Sequence, residues 1–171
     1  MKKKFLLHLG VVVISALMIA SCLPGVEGEQ TQPTLEEEME MLQTYLDTLV
    51  ARGNDIDTTE MGVYYVRLEE GEGDFATEGD TLVVEYAGYF MDGFLFDSSK
   101  MRFPEGMEFV LGEDQFIPGW EDGMKVMNKG SRVQFIIPSE FAYGSQGYDI
   151  IPPFETLIFV IEMLDLRPLQ E

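Results

Sequence analysis

Six short segments of this 171-residue chain gather the side chains that could act on a bound molecule: Val84–Phe90 (VEYAGYF), Asp92–Ser99 (DGFLFDSS), Phe109–Gly112 (FVLG), Ile117–Met124 (IPGWEDGM), Ala142–Gly144 (AYG) and Ile150–Pro153 (IIPP). The chemistry open to them is narrow. The only His is His8 and the only Cys is Cys22, both near the N-terminus, so the chain beyond Cys22 has neither imidazole nor thiol. Ser-His-Asp catalysis, cysteine nucleophiles, Cys/His zinc sites and disulfides are therefore excluded for that part. What remains must work through apolar surface, tyrosine hydroxyls, aspartate and backbone groups. Taken singly, Trp120, Phe96 and Phe159 read as core. Asp97 before Ser98-Ser99 reads as a turn or cap residue, and Tyr143-Gly144 as a plain loop.

The elements that must hold these segments follow from periodicity. Thr34 with Glu37 makes a capping box, and Leu35, Met39, Leu42, Leu46 and Leu49 follow at steps of four and three, which predicts a helix over 34–53 ending near Gly53. Its apolar stripe either packs on the rest of the domain, the reading we favour, or makes a dimer contact. From Met61 the pattern becomes that of strands: 63–68, 81–90, 107–111, 131–137 and 156–166, rich in Val, Ile, Tyr and Phe and bounded by Gly and Asp. Pro118–Met127 predicts one short helix stopped by Asn128-Lys-Gly130. Five or so strands around one short helix, without regular βα alternation, imply an α+β fold with a mainly antiparallel sheet.

The first 33 residues read differently. Lys2, Lys3 and Lys4 precede an apolar run over 5–20, about 16 residues, shorter than the roughly 20 of a membrane span and laid out like a signal peptide. Ile19-Ala20-Ser21-Cys22 resembles the bacterial lipoprotein processing box. That resemblance implies a leader over 1–21, a lipid on Cys22 that anchors the chain to a membrane, and a periplasm-facing location, with Leu23 favouring the outer membrane. Residues 22–33, with Gly, Pro and Gln and no apolar period, read as a flexible tether. Removing 1–21 leaves 31 acidic against 8 basic side chains, a formal −23. Phosphate backbones repel such a surface, so nucleic acid is not an expected partner.

Taken together and in order, the six segments resemble the FKBP family of peptidyl-prolyl cis/trans isomerases, the immunophilins that bind macrolide immunosuppressants, over 60–167. The resemblance implies a curved antiparallel sheet wrapped around a short helix with an apolar pocket between them, here with an N-terminal helical extension. It also implies roles. Trp120 floors the pocket; Tyr86, Phe96 and Phe159 are aromatic walls; the backbone N–H of Ile117 and the hydroxyl of Tyr143 donate to ligand carbonyls; Asp97 hydrogen-bonds Tyr86 and faces the ligand. Phe116, Met107, Ile150, Ile151 and Tyr148 fall at further substrate-binding positions. The implied substrates are X–Pro polypeptides, with macrolide-type ligands possible, and rotation about an amide requires no metal or cofactor. The alternative is a proline-peptide-binding chaperone or assembly module with little turnover.

The sequence departs from the family pattern in four places. Lys100–Gly106 is about one residue longer than in short single-domain members, and the loop Ser145–Asp149 about one shorter. Met107 stands where an aromatic is common, and Phe116 where a smaller aliphatic is usual.

Overall fold

The computed structural model describes residues 33–169. The expected leader, Cys22 and the tether up to residue 32 lie outside them. Helix α1 spans Leu35–Ala51, with Thr34 as N-cap and the reciprocal Thr34–Glu37 capping box in place. Strands follow at Asp57–Thr58 (β1), Tyr64–Glu69 (β2), Thr81–Phe90 (β3), Leu95–Ser98 (β4) and Met107–Val110 (β5). Helix α2 covers Pro118–Met124, and β6 (Arg132–Ile137) and β7 (Leu157–Arg167) complete the chain.

The seven strands form one antiparallel sheet in the order β1-β2-β6-β7-β3-β4, with β5 also paired to β3. The two strands not anticipated, β1 and β4, have two and four residues, too few to show a period. β3 changes partner along its outer edge. Residues 81–84 pair with β5 and residues 87–89 with β4. In the gap between those ladders the fully buried Ser99 takes over: its hydroxyl accepts from the Tyr86 N–H at 2.9 Å and lies 3.3 Å from the Tyr86 carbonyl. One hydroxyl thus satisfies the backbone that the strand change would leave unpaired.

Side-chain alternation splits the sheet into two apolar faces. In β6, Val133, Phe135 and Ile137 join the main core with Leu82, Val84, Trp120, Met124, Leu157, Phe159, Ile161 and Met163. Ile136, by contrast, packs with Leu49, Val66 and Ile158 in a second cluster that includes Leu42 and Tyr45 of α1. The extension helix therefore covers the opposite face of the sheet. Its inward stripe is Glu38, Leu42, Tyr45, Leu46 and Leu49, while Leu35 and Met39 are exposed. The expected stripe holds over the last three turns and shifts by one residue at the first, where a carboxylate occupies the inward position. Exposed Leu35, Met39, Met41 and Val50 are the apolar residues that a dimer through 34–53 would have to use.

Helix α2 sits on the other face, and two glycines set its distance. A Cβ on Gly119 would lie 2.5 Å from Ile137, and one on Gly123 would lie 2.9 Å from the Phe135 ring. These are separations a real Cβ does not adopt, so the i, i+4 glycine pair lets the helix backbone approach β6 directly. That approach places Trp120 against the sheet, 3% exposed.

Candidate functional site

Between α2 and the concave side of the sheet lies a cavity of about 430 Å³, within the size range of small-ligand sites. Its floor is the Trp120 indole, packed against Phe109 at a centroid distance of 5.0 Å and tilted toward Phe116 at 4.3 Å. One wall is a chain of edge contacts from Trp120 to Tyr86 at 6.5 Å, Tyr86 to Phe159 at 6.2 Å and Phe159 to Phe96 at 5.6 Å. Such edge-on geometry sets the positive rim of one ring against the negative face of the next. Met107 and Ile117 also line the space.

The polar groups stand at one side. The Tyr86 hydroxyl donates to Oδ2 of Asp97 at 2.8 Å, while Oδ1 accepts from the Ser98 N–H at 2.8 Å. Arg102 approaches Oδ1 only to 3.8 Å, and its exposed guanidinium adds little. Burial first, and then the hydrogen bond and charge of Asp97, hold the Tyr86 phenol well above the usual tyrosine range. Burial, followed by Tyr148 and Asp97, raises Tyr143 as well. Both hydroxyls stay protonated at neutral pH, Tyr86 committed to Asp97 and Tyr143 facing the cavity. Asp97 is thus both the turn acceptor for Ser98 and the partner of Tyr86, so its two readings from sequence coexist.

Nine of the twelve candidates line this one cavity: Tyr86, Phe96, Asp97, Met107, Phe116, Ile117, Trp120, Tyr143 and Phe159. Three do not. Tyr148 and Ile151 exchange both backbone hydrogen bonds, at 2.8 and 2.9 Å, and close a tight turn whose Asp149 has φ of 52°. The turn lifts Ile150 into solvent and tucks Ile151 into the core. Tyr148, 66% exposed, stacks on Tyr143 from outside at 5.3 Å. Gln115, Pro118 and Ala142 join the lining without having been anticipated as site residues. Pro118 and Ala142 belong to recognised segments, but Gln115 has no spacing signal. Its backbone N–H is held by the Glu121 carboxylate at 2.9 Å, which folds the approach to α2 over the cavity.

The family model for the FKBP-type peptidyl-prolyl cis-trans isomerase matches residues 72–164, more than half of the chain. The chain belongs to that family. A probable FKBP-type peptidyl-prolyl cis-trans isomerase of Haemophilus influenzae is 43% identical over 122 residues, covering 71% of this chain and 49% of its own length. The FKBP-type isomerase FkpA of Escherichia coli is 41% identical over 118 residues, covering 69% of this chain and 43% of its own. The chain therefore spans about half the length of these curated relatives. Among solved structures, Escherichia coli FkpA superposes with a TM-score of 0.64 at 34% identity, over 79% of this chain and 63% of that one. A peptidyl-prolyl cis-trans isomerase of Pseudomonas syringae pv. tomato superposes with a TM-score of 0.67 at 28% identity, over 81% and 99%. The FKBP match begins after β2, so α1, β1 and β2 lie outside it although β1 and β2 are strands of the same sheet.

Proposed function

We propose that this FKBP-family chain is a peptidyl-prolyl cis-trans isomerase that accelerates rotation of X–Pro bonds in exported proteins and so assists their folding. The observation that carries the reading is the convergence of Tyr86, Phe96, Trp120 and Phe159 on one cavity, with Asp97 and Tyr143 as its polar edge. Rotation about a peptide bond loses amide resonance at a barrier of about 18–20 kcal/mol. An uncatalysed X–Pro bond takes tens to hundreds of seconds. No covalent bond forms or breaks. The twisted amide is less zwitterionic than the planar one, so a dry aromatic enclosure disfavours the planar ground state relative to the transition state. Bringing a process of about 100 s to about 10 ms corresponds to 5–6 kcal/mol.

In this mechanism Trp120, Phe159, Phe96 and Tyr86 supply shape and low dielectric. The Ile117 N–H and the Tyr143 hydroxyl hold carbonyls on either side of the proline in a compact turn. Asp97 fixes Tyr86 and presents negative charge to the rotating amide.

A second reading, a proline-peptide-binding module with little turnover, is favoured by one feature: the Phe116 ring covers part of the Trp120 indole at 4.3 Å. A protease-coupled assay on an Ala-Pro-Phe-type peptide, with a pocket-directed macrolide as inhibitor, decides between them. We expect turnover that the macrolide abolishes. Macrolide or peptide binding without acceleration establishes the second reading, and neither binding nor acceleration removes both.

For location, we propose that Cys22 is acylated and tethers the domain to a bacterial membrane, the outer one by the Leu23 criterion, facing the periplasm. Acyl chains contribute about 0.8 kcal/mol per buried methylene, and more than one chain holds a protein durably. The wild-type protein is expected to fractionate with the membranes and to incorporate labelled fatty acid, and Cys22→Ala to incorporate none; a soluble wild type overturns the anchor.

A further inference from the structure

The most deeply buried charged side chain outside the cavity is Glu38 of α1, 2% exposed. Its carboxylate bonds to nothing on its own helix. Oε1 accepts from the Ser139 N–H at 2.6 Å and from the Thr156 hydroxyl at 2.7 Å, and Oε2 accepts from the Ser139 hydroxyl at 2.5 Å. Burying a carboxylate is costly unless its lone pairs are filled. Three short bonds occupy three of its roughly four acceptor sites here.

The positions of the donors give the bond set its meaning. β6 and β7 are neighbours paired as far as Ile137 and Leu157. Ser139 and Thr156 stand just beyond that last pair, at the two feet of the excursion that runs over 139–156. This excursion carries Ala142 and Tyr143 into the cavity lining. Two of the three non-glycine residues with positive φ among the described residues, Asp149 at 52° and Phe154 at 54°, lie in it. Conformations of that kind persist where the surroundings hold them. Within the excursion, the Tyr148–Ile151 bridge and the Phe154 N–H to Gly144 carbonyl bond at 2.9 Å tie the tip together. The turn bonds from the Phe141 and Ala142 N–H groups to the Pro138 and Ser139 carbonyls, at 3.0 and 2.9 Å, are local to the first foot and do not join it to the second. The Ser139 turn passes directly into Phe141, which abuts Gly119 of α2, and then into Tyr143.

We infer that Glu38 is a positioning residue for the pocket rim: α1, which lies before the FKBP match, clamps both feet of the 139–156 excursion and thereby sets where Tyr143 stands over the cavity. The helix is then a working part of the site, and its acid acts on substrate through Ser139. The inference rests on the isomerase reading for its kinetic consequence alone. Its structural consequence can be read without turnover.

The test uses the full chain and compares wild type with Glu38→Ala and with Glu38→Gln, which keeps the volume and one acceptor. Two measurements are made: kcat and KM on a prolyl peptide, and amide hydrogen exchange across the domain. Displacement of Tyr143 removes a carbonyl contact that positions the substrate for rotation, so the expected kinetic result is a kcat/KM lowered about fivefold or more. Exchange over 140–148 is expected to quicken about tenfold while β3 and β7 keep their protection, with Glu38→Gln intermediate. Unchanged exchange over 140–148 overturns the inference. So does a loss of protection spread evenly over β3, β6, β7 and the rim, which a merely structural acid would give. If Glu38→Ala does not fold, Glu38→Gln carries the comparison. A wild type without turnover removes the isomerase reading, while the exchange data still judge Glu38.

Discussion

Asp97→Leu is expected to lower isomerase turnover by one to two orders of magnitude while the domain stays folded. The side chain sits at the end of β4, half-buried, with one oxygen on the Tyr86 hydroxyl and the other on the Ser98 N–H. Leucine has a similar outline and can occupy the cavity edge, so packing changes little. What disappears is the acceptor. A half-buried phenol left without its acceptor costs at most about 1–3 kcal/mol, which Tyr86 relieves by rotating toward solvent or toward the substrate. Either movement disturbs the wall that joins Trp120 to Phe159. The loss of the carboxylate also removes the fixed charge beside the rotating amide. Together these effects amount to about 1.4–2.7 kcal/mol of transition-state stabilisation, or 10- to 100-fold in kcat/KM. Because Tyr86 is half-buried and the stability cost is local, the melting temperature is expected to fall by only a few degrees. Turnover within about twofold of wild type would remove Asp97 from the mechanism.

The distance between sequence and structure is instructive at particular residues. β3 is legible end to end, because ten residues alternate between two packed faces and Gly and Asp close both sides of the run. The aromatic lining is legible for a related reason: each ring lies on a strand or helix whose neighbours are paired nearby, so order along the chain translates into position. Tyr148, Ile150 and Ile151 separate from that lining because a positive φ at Asp149 reverses the chain within three residues. Asp149 is a residue type tolerated there, but nothing in its neighbourhood announces the reversal. Glu38 is the clearest case. Its position in the α1 stripe conflicts with its chemistry, and an apolar period counts it as solvent-facing. The partners that let it be buried, Ser139 and Thr156, lie more than 100 residues away in the chain. Short-range patterns find surfaces that bury themselves; they cannot find a polar group whose burial depends on a distant donor.

Gly88→Val is expected to damage the site from behind. Gly88 lies in β3, opposite Phe159 on β7 and Asp97 on β4, with its side-chain direction pointing to the same face as Leu82, Val84 and Tyr86. At that point the concave surface has a gap, and two rings fill it. A Cβ there would stand 2.8 Å from the Phe159 ring and 2.8 Å from the Phe96 ring. Both rings are held by neighbours: Phe96 is stacked on Phe90 at 4.9 Å, and Phe159 is wedged edge-on between Phe96 and Tyr86. Both line the cavity, which is open space beside them. Alanine therefore forces a shift of several tenths of an ångström, and valine adds two more methyl groups in the same direction. Overpacking of this kind costs about 1–3 kcal/mol in stability, so the valine protein should still fold at moderate temperature. The larger effect is on the site, where two of the four aromatic walls move inward. Turnover and macrolide affinity should fall together by about tenfold or more in Gly88→Val, with Gly88→Ala between it and wild type. The parallel loss is the signature, since a general weakening of the fold lowers the amount of active protein without changing the affinity of what remains. A valine variant that keeps both turnover and affinity would mean that Phe96 and Phe159 do not bound the volume in which the amide turns.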